Sequence, residues 1–315
     1  MRAQEVAPSV ESSRIKSIQT QYGLNPKTDL IQRVGETPED VMAIFREAGM
    51  SPKLHTLDVE EGHKLAAAIS ILPPLHQEVL KQRLRRISLL DDMPNTALTS
   101  TVNENAPYRL FDITIRAAIL KQSASEWLTE KEGSCFQRND SGISLRVDIG
   151  NITAIQYVLL HEATHVVDAT LGITPSLDTN PENDKQDIAT RFTSGVWEDL
   201  RTPCNMYKEA DLMSIRFRPG GKIADASNMK SLYQALGRTP FVSLYGSSAR
   251  TEDLAEYMTV FHLTQILNQP FRISVCHGDR EVHIHDPMNS EIARSRFDLM
   301  KQFYDLTKSE QPLGN

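Results

Sequence analysis

The amino-acid sequence predicts an α+β fold in two parts, a small all-helical domain over residues 1–95 and a mixed domain over residues 96–315. Two observations predict this division. Apolar residues recur at helical spacing up to about Pro94, whereas β-branched residues alternate in the later segments "YRLFDITIRAAIL" and "GISLRVDIG". The second part is therefore expected to contain a small mixed sheet, a long buried helix and helices near its C-terminus.

Three helices are expected in the first part. The segment "TPEDVMAIFREAGM" predicts one with Thr37 as its N-cap and Pro38 in its first turn. Its apolar face is predicted to comprise Val41, Ile44, Phe45 and Ala48. The other two cover "VEEGHKLAAAISIL" and "PLHQEVLKQRLRRISLL", because two consecutive prolines separate these segments. The histidines of this part lack metal-binding spacing and are expected at the surface or its boundary: His55, His63 and His76.

Charge and composition restrict the classes of partner. The chain has 34 basic and 41 acidic residues, a formal net charge of -7, and no dense basic cluster except "KQRLRR", so no nucleic-acid partner is expected. The three cysteines are widely spaced, so we expect them to be small buried residues rather than members of a disulfide framework. No segment has the apolar run of a signal peptide or a membrane span, which leaves the compartment undetermined between the cytoplasm and export by a non-classical route.

The segment "YVLLHEATHVVDATLG" carries the strongest chemical signal. It lies in a helix expected over residues 153–171, with Gly172 as its stop. His161 and His165 are four residues apart, so they project from one helix face and can bind the same zinc ion. Glu162 would lie beside the metal, where a carboxylate can accept a proton from water. This H-E-x-x-H spacing is typical of zinc metallopeptidases, although two histidines in a polar pocket would give the same pattern by chance.

A catalytic zinc ion needs a third protein ligand. An extended motif with a third histidine is excluded, because Leu171 occupies that position. The "HIH" of residues 283–285 indicates an exposed hairpin and is not expected to bind the same metal. In "YGSSARTEDLAEY", Glu252 can bind the metal while Glu256, one turn later, accepts a hydrogen bond from His161. The alternative is that these acids only complement the positive end of a helix.

The segments "HEATHVVD" and "FVSLYGSSARTEDLAEY" together resemble the gluzincin branch of zinc metallopeptidases, in particular the catalytic domain of anthrax lethal factor and bacterial proteins of that type. The resemblance covers residues of about 140–270. It implies a zincin-like domain with Glu252 as third zinc ligand, Glu256 and Asp168 as groups that support the ligands, and Tyr245 as a phenol near the oxyanion. The interval between His165 and Glu252 is longer than in the simplest members, so inserted structure is expected there.

The predicted function is hydrolysis of peptide bonds in a peptide or protein substrate, with Zn2+ as cofactor and Glu162 as general base. Two alternatives remain open at this stage: a catalytically silent scaffold that binds a partner, and a zinc hydrolase of a non-peptide amide. The N-terminal helices match no known family and could recruit a protein partner, cover the cleft or stabilise the fold. Gly220 and Gly221 could form a flap beside the cleft or a plain surface turn.

Overall fold

The computed structural model describes residues 10–104, 106, 108–137, 139–175 and 192–305. These residues form a mixed α/β fold. The helices are Val10–Gln21 (α1), Glu39–Glu47 (α2), Val59–Ser70 (α3), Pro74–Arg83 (α4), Ala124–Gly133 (α5), Ala154–Leu171 (α6), Ala210–Met213 (α7), Met229–Leu236 (α8), Arg250–Phe261 (α9), Glu291–Arg294 (α10) and Phe297–Met300 (α11). The strands are Lys53–Leu54 (β1), Leu84–Asp91 (β2), Ala97–Thr101 (β3), Phe111–Arg116 (β4), Phe136–Gln137 (β5), Ile143–Asp148 (β6), Ala224–Asp225 (β7), Arg272–His277 (β8) and Arg280–His285 (β9).

A four-stranded mixed sheet has the strand order β1-β2-β4-β3. Its central strands β2 and β4 are parallel, and β3 runs antiparallel to β4 at one edge. The central strands bury side chains on both faces, which is typical of a sheet covered by helices. Helices α3 and α4 pack against α6, and α6 also contacts β3. The N-terminal helices therefore stabilise the long buried helix α6.

The prediction of an all-helical segment over residues 1–95 is wrong. The third expected helix ends at Arg83, and the next eight residues form strand β2, which pairs with β4. The sheet and one hydrophobic core from Leu30 to Phe303 therefore include residues on both sides of position 95. The apolar run "ISLL" is compatible with a buried strand and with a buried helix, and its pairing with β4 decides between them.

Helix α2 also differs from its prediction at its start and on one face. It begins at Glu39 with Pro38 as the N-cap residue, and the buried hydroxyl of Thr37 has no hydrogen-bond partner in the described part of the chain. Val41 and Phe45 are buried as expected, but Ile44 is 48% exposed. The buried stripe is narrower than predicted, because only one side of this short helix meets the core.

Helix α6 follows its prediction closely. The side chain of Gln156 accepts a hydrogen bond from the backbone N–H of Thr153 at the N-terminus, and Gly172 ends the helix with a φ of 64°. Glycine adopts this left-handed conformation without the strain that a Cβ would add. The late hairpin is also confirmed, since β8 and β9 pair antiparallel and β8 pairs with β6 in a three-stranded sheet.

The C-terminal part is more broken than its helical pattern indicates. The helix expected over "NSEIARSRFDLMKQFYDLTK" is divided into α10, α11 and a 3-10 turn, Lys301–Phe303, and its last residues lie outside the described ones. Helix α9 continues into a π-helical turn, His262–Ile266. The helix expected over "NPENDKQDIATRFTSGVWEDL" lies mostly outside the described residues. None of the helices that the structure describes combines the length and the apolar character needed to cross a membrane.

His76 is not a surface residue, contrary to the prediction. Its side chain is fully buried, and its Nε2 lies 2.9 Å from the hydroxyl of Thr164 on α6. His262 is also buried, and its Nδ1 lies 2.7 Å from the hydroxyl of Tyr304. Burial lowers the pKa of His76 to about 3 and that of His262 to about 4, so both imidazoles are neutral in the folded protein near pH 7.

These lowered pKa values predict acid sensitivity of the fold. In the unfolded chain a histidine has a pKa of about 6.5, so as the pH falls below that value the unfolded state binds protons that the folded state excludes. The free energy of unfolding should therefore decrease from pH 7 to pH 5, with His76 contributing about 2 kcal/mol of that decrease. In urea denaturation, the free energy of unfolding of the His76→Gln variant should decrease between pH 7 and pH 5 by about 2 kcal/mol less than that of the wild type. The exposed His63→Gln variant is the control, and an equal pH dependence in all three proteins would contradict this role of His76.

Candidate metal centre

The packing of α6 against α9 brings three potential metal ligands together. His161 and His165 lie one turn apart on α6, and Glu252 lies in the first turn of α9. The two Nε2 atoms are 3.1 Å apart. Glu252 Oε2 lies 3.2 Å from the Nε2 of His161 and 3.4 Å from that of His165. Among the residues that the structure describes, this is the one group of three or more histidine, cysteine or acidic side chains close enough to hold a metal ion.

The separations of these donor atoms fit zinc. Tetrahedral zinc with bonds of about 2.0–2.1 Å to nitrogen and oxygen places its ligand atoms about 3.3 Å apart. Two imidazoles and one carboxylate also form a donor set that zinc prefers in catalytic sites. The His161 side chain is 7% exposed, whereas those of His165 and Glu252 are each 21% exposed. The group is therefore open to solvent on one side, where a fourth ligand has room.

The charges around the group favour a cation. Burial would lower the pKa of His161, but its contacts with Glu252 and Glu256 raise this pKa to about 9. Burial would raise the pKa of Glu252, but the charge of His165 and hydrogen bonds with both histidines hold this pKa well below its usual range. The carboxylates of Glu252 and Glu256 thus stabilise a positive charge between them. A proton can supply that charge, and so can a divalent metal ion.

Glu256 lies behind His161, on the side opposite Glu252. Its Oε1 is 3.1 Å from the Nδ1 of His161, an ion-pair contact rather than a well-aligned hydrogen bond. Its Oε2 accepts hydrogen bonds from Tyr157 at 2.8 Å and Ser243 at 2.7 Å. Burial would raise the pKa of Glu256, but Lys131, His161 and Ser243 lower it to about 2. An ionised carboxylate at this position can orient the ring of His161 so that its Nε2 faces the other two candidate ligands.

Tyr245 lies beside the candidate ligands. Its ring centroid is 5.8 Å from that of His161, and the charge of Glu252 acts on its hydroxyl. Burial and the charges of Glu252 and Glu162 raise the pKa of Tyr245 far above its ordinary value. The phenol therefore keeps its proton and can donate a hydrogen bond to a group that develops negative charge near the metal.

Glu162 faces the edge strand of the four-stranded sheet. Its Oε2 accepts a hydrogen bond of 2.7 Å from the hydroxyl of Thr99 on β3. The Glu162 carboxylate is partly exposed, and its charge acts on both His165 and Tyr245. It thus stands at the rim of the candidate metal group without being one of the three converging donors.

The carboxylate of Asp168 is hydrogen-bonded to Thr174 rather than to a candidate metal ligand. Its carboxylate accepts hydrogen bonds from the backbone N–H of Thr174 at 2.6 Å and from its hydroxyl at 2.7 Å. Burial raises the pKa of Asp168, and the charge of nearby His165 opposes that rise. Its direct contacts therefore anchor the chain that leaves α6, and it acts on His165 through charge alone.

The two histidines of the hairpin lie outside the metal group. His283 is partly exposed on β9, but His285 is buried and its Nε2 lies 3.2 Å from the carbonyl oxygen of Val242, which differs from the expected exposed hairpin. Burial lowers the pKa of His285 to about 4. This side chain supports the segment that precedes Tyr245 from behind.

A short tight loop places Phe217 against Tyr245, with 5.1 Å between their ring centroids. The backbone N–H of Lys222 bonds the carbonyl of Ser214 and so closes the loop. A Cβ at Gly221 would lie 1.9 Å from the carbonyl oxygen of Ile215, which restricts that position to glycine. This geometry favours a closed turn over a flexible flap.

Sequence reasoning missed five residues around the metal group: Thr99, Lys131, Tyr157, Phe217 and Ser243. Tyr157 had a local signal, because it lies four residues before His161 and therefore on the same face of α6. Ser243 stands in the quoted segment "FVSLYG", but no spacing marks it. Thr99, Lys131 and Phe217 reach the site from distant parts of the chain, so no local pattern could identify them.

Comparisons with known proteins add little. No family model and no curated protein matches the chain. The solved structure of a candidate zinc-binding metallo-peptidase from Bacteroides caccae aligns with 97% of this chain and 89% of its own, at 12% identity and a TM-score of 0.35. A similarity of this size shows neither the family nor the activity of the chain.

The geometry predicts which glutamate binds the metal. Glu252→Ala removes one of the three converging donors and should weaken zinc binding by at least about tenfold, because loss of a direct ligand costs more than loss of a supporting group. Metal content after dialysis and competition with a chromophoric chelator measure the effect, with Glu162→Gln as a control that keeps all three donors. Full zinc occupancy in Glu252→Ala, together with loss in Glu256→Ala, would place the ligand one helical turn later.

Proposed function

We propose that this chain is a zinc-dependent metallopeptidase of the gluzincin type. The observation that carries the proposal is the convergence of His161, His165 and Glu252 at distances suited to tetrahedral zinc, with Glu162 beside them. A bound zinc ion would lower the pKa of a coordinated water to about 7 and polarise a substrate carbonyl. Each of the remaining roles belongs to a side chain of this protein.

Glu162 is the general base of the proposed reaction. Its carboxylate accepts the proton of the attacking water while the water oxygen bonds to the carbonyl carbon. It then returns that proton to the amide nitrogen as the C–N bond breaks, so the products are a carboxylic acid, which keeps the second water proton until it ionises in solution, and an amine. Thr99 donates a hydrogen bond to Glu162 Oε2 and fixes the carboxylate on the side of the site that faces β3.

Tyr245 and Glu256 have supporting roles. Tyr245 donates a hydrogen bond to the carbonyl oxygen as that oxygen gains negative charge, because its raised pKa keeps the phenol protonated. Glu256 holds the His161 ring from the Nδ1 side and leaves Nε2 directed towards Glu252 and His165.

An extended peptide suits the position of β3. This strand is the edge of the sheet, and in the described part of the chain its backbone pairs only with β4. A peptide can add to such an edge as a further strand, with main-chain hydrogen bonds that do not depend on its sequence. Because Thr99 of β3 bonds Glu162, a peptide on this edge would pass close to the general base. This favours a peptide over a compact non-peptide amide.

The role of Glu162 predicts a variant that binds metal but does not react. Glu162→Gln should retain stoichiometric zinc and lose at least about 100-fold in kcat/KM, since general base catalysis contributes 10²–10⁴-fold. Cleavage of a peptide library, read by mass spectrometry and combined with metal analysis, tests both properties. Near-normal hydrolysis by Glu162→Gln would exclude this role, and a wild-type protein that binds zinc but cleaves no peptide would favour a binding scaffold.

The role of Tyr245 predicts that its loss affects kcat and KM differently. Tyr245→Phe keeps the ring packed against Phe217 but removes the donor, so kcat should fall about 10- to 100-fold with little change in KM. Steady-state kinetics on a peptide cleaved by the wild type measure both constants. Phe217→Leu is the control for packing, and an unchanged kcat in Tyr245→Phe would show that the phenol does not contact the reacting carbonyl.

A further inference from the structure

Lys131 connects the candidate metal centre to a helix that carries none of the sequence motifs. It lies in the last turn of α5, and its Nζ is 3.3 Å from the Oε1 of Glu256. The same oxygen lies 3.1 Å from the Nδ1 of His161. The lysine ammonium and the imidazole of a candidate ligand therefore share one carboxylate oxygen.

The same ammonium also contacts Tyr245. Its Nζ lies 3.7 Å from the centroid of the Tyr245 ring and 5.0 Å from that of Trp127, within the range of cation–π attraction. The Lys131 side chain is only 17% exposed, so solvent screens these contacts weakly. One partly buried cation thus contacts the carboxylate behind His161 and the face of the phenol that lies beside the candidate ligands.

The residue next to Lys131 attaches the end of α5 to the segment that precedes Tyr245. Glu132 is buried, and its Oε2 accepts hydrogen bonds from the hydroxyl of Tyr233 at 2.6 Å and the backbone N–H of Leu244 at 3.4 Å. Leu244 lies between Ser243, which bonds Glu256, and Tyr245. The end of α5, and with it the backbone of Lys131, is therefore attached to the segment that carries both residues.

The charge of Lys131 has a specific partner. The Glu256 side chain is fully buried, and a buried carboxylate without a cation is strongly destabilised. Tyr157 and Ser243 supply neutral donors, whereas Lys131 is the cation in contact with Glu256 that is not itself a candidate metal ligand. Without the charge of Lys131, Glu256 would depend on His161 for its compensating positive charge.

We propose that Lys131 is a positioning residue that orients His161 through Glu256 and holds Tyr245 through its ring face. The proposal rests on the proposed function for its kinetic part, but its effect on metal affinity does not require peptidase activity. Lys131 contacts neither metal nor substrate, and its influence on the site passes through these two side chains.

The test compares Lys131→Met, which keeps length and packing but removes the charge, with Lys131→Arg, which keeps the charge. Lys131→Met should bind zinc about 10- to 100-fold more weakly, as expected for loss of a group that supports a ligand. At saturating zinc its kcat should fall about tenfold with KM within about twofold, because Tyr245 acts in the transition state. Lys131→Arg should restore both values to near the wild type. Lys64→Met, which removes another partly buried and paired lysine, is the control.

A double variant guards against misfolding. In Lys131→Met/Glu256→Gln the side chain at position 256 is neutral and no longer needs a cation, so this variant should fold even if Lys131→Met alone does not. If Lys131 acts on the metal through Glu256, this double variant and Glu256→Gln should bind zinc with equal Kd. A further loss in the double variant, an unchanged Kd in Lys131→Met, or a Lys131→Arg variant as weak as Lys131→Met would overturn the inference. A wild-type protein that binds zinc but cleaves no peptide would contradict the proposed function and leave the Kd comparison intact.

Discussion

The rest of the candidate site depends on the contacts of one buried group, the carboxylate of Glu256. It receives contacts from Tyr157 and His161 on α6, from Lys131 on α5 and from Ser243 before α9. A charged group without solvent must satisfy its oxygens within the protein, so these elements cannot shift relative to one another without exposing or unpairing it. The positions of the candidate ligands follow from that constraint.

The same constraint explains why the two acidic residues around the candidate metal group differ in their surroundings. Glu252 and Glu256 lie on opposite sides of the His161 ring, one at Nε2 and one at Nδ1. Glu252 is partly exposed and can bind a metal, whereas Glu256 is fully buried and already neutralised by Lys131. Two acids one helical turn apart thus differ in burial and in partners, which suits them to different roles.

The four-stranded sheet connects the candidate metal group to its edge strand β3, where we propose that a peptide binds. Parallel pairing of β2 with β4 leaves β3 at the edge, and Thr99 on β3 holds the carboxylate of Glu162. Helices α3 and α4 cover another side of α6 and leave the side with the histidines open. Helices α3 and α4 therefore belong to the scaffold of the candidate site.

The sequence by itself determined the local features: helix α6 with its Gly172 stop, the pairing of His161 with His165 on one face, and the spacing of Glu252 and Glu256. These depend on helix periodicity and backbone conformation, which a few neighbouring residues fix. Only the tertiary structure decided that residues 84–91 form a strand, that His76 is buried, and that Lys131 and Thr99 reach the site. Those outcomes depend on contacts between residues far apart in the chain, for which no local pattern carries a signal.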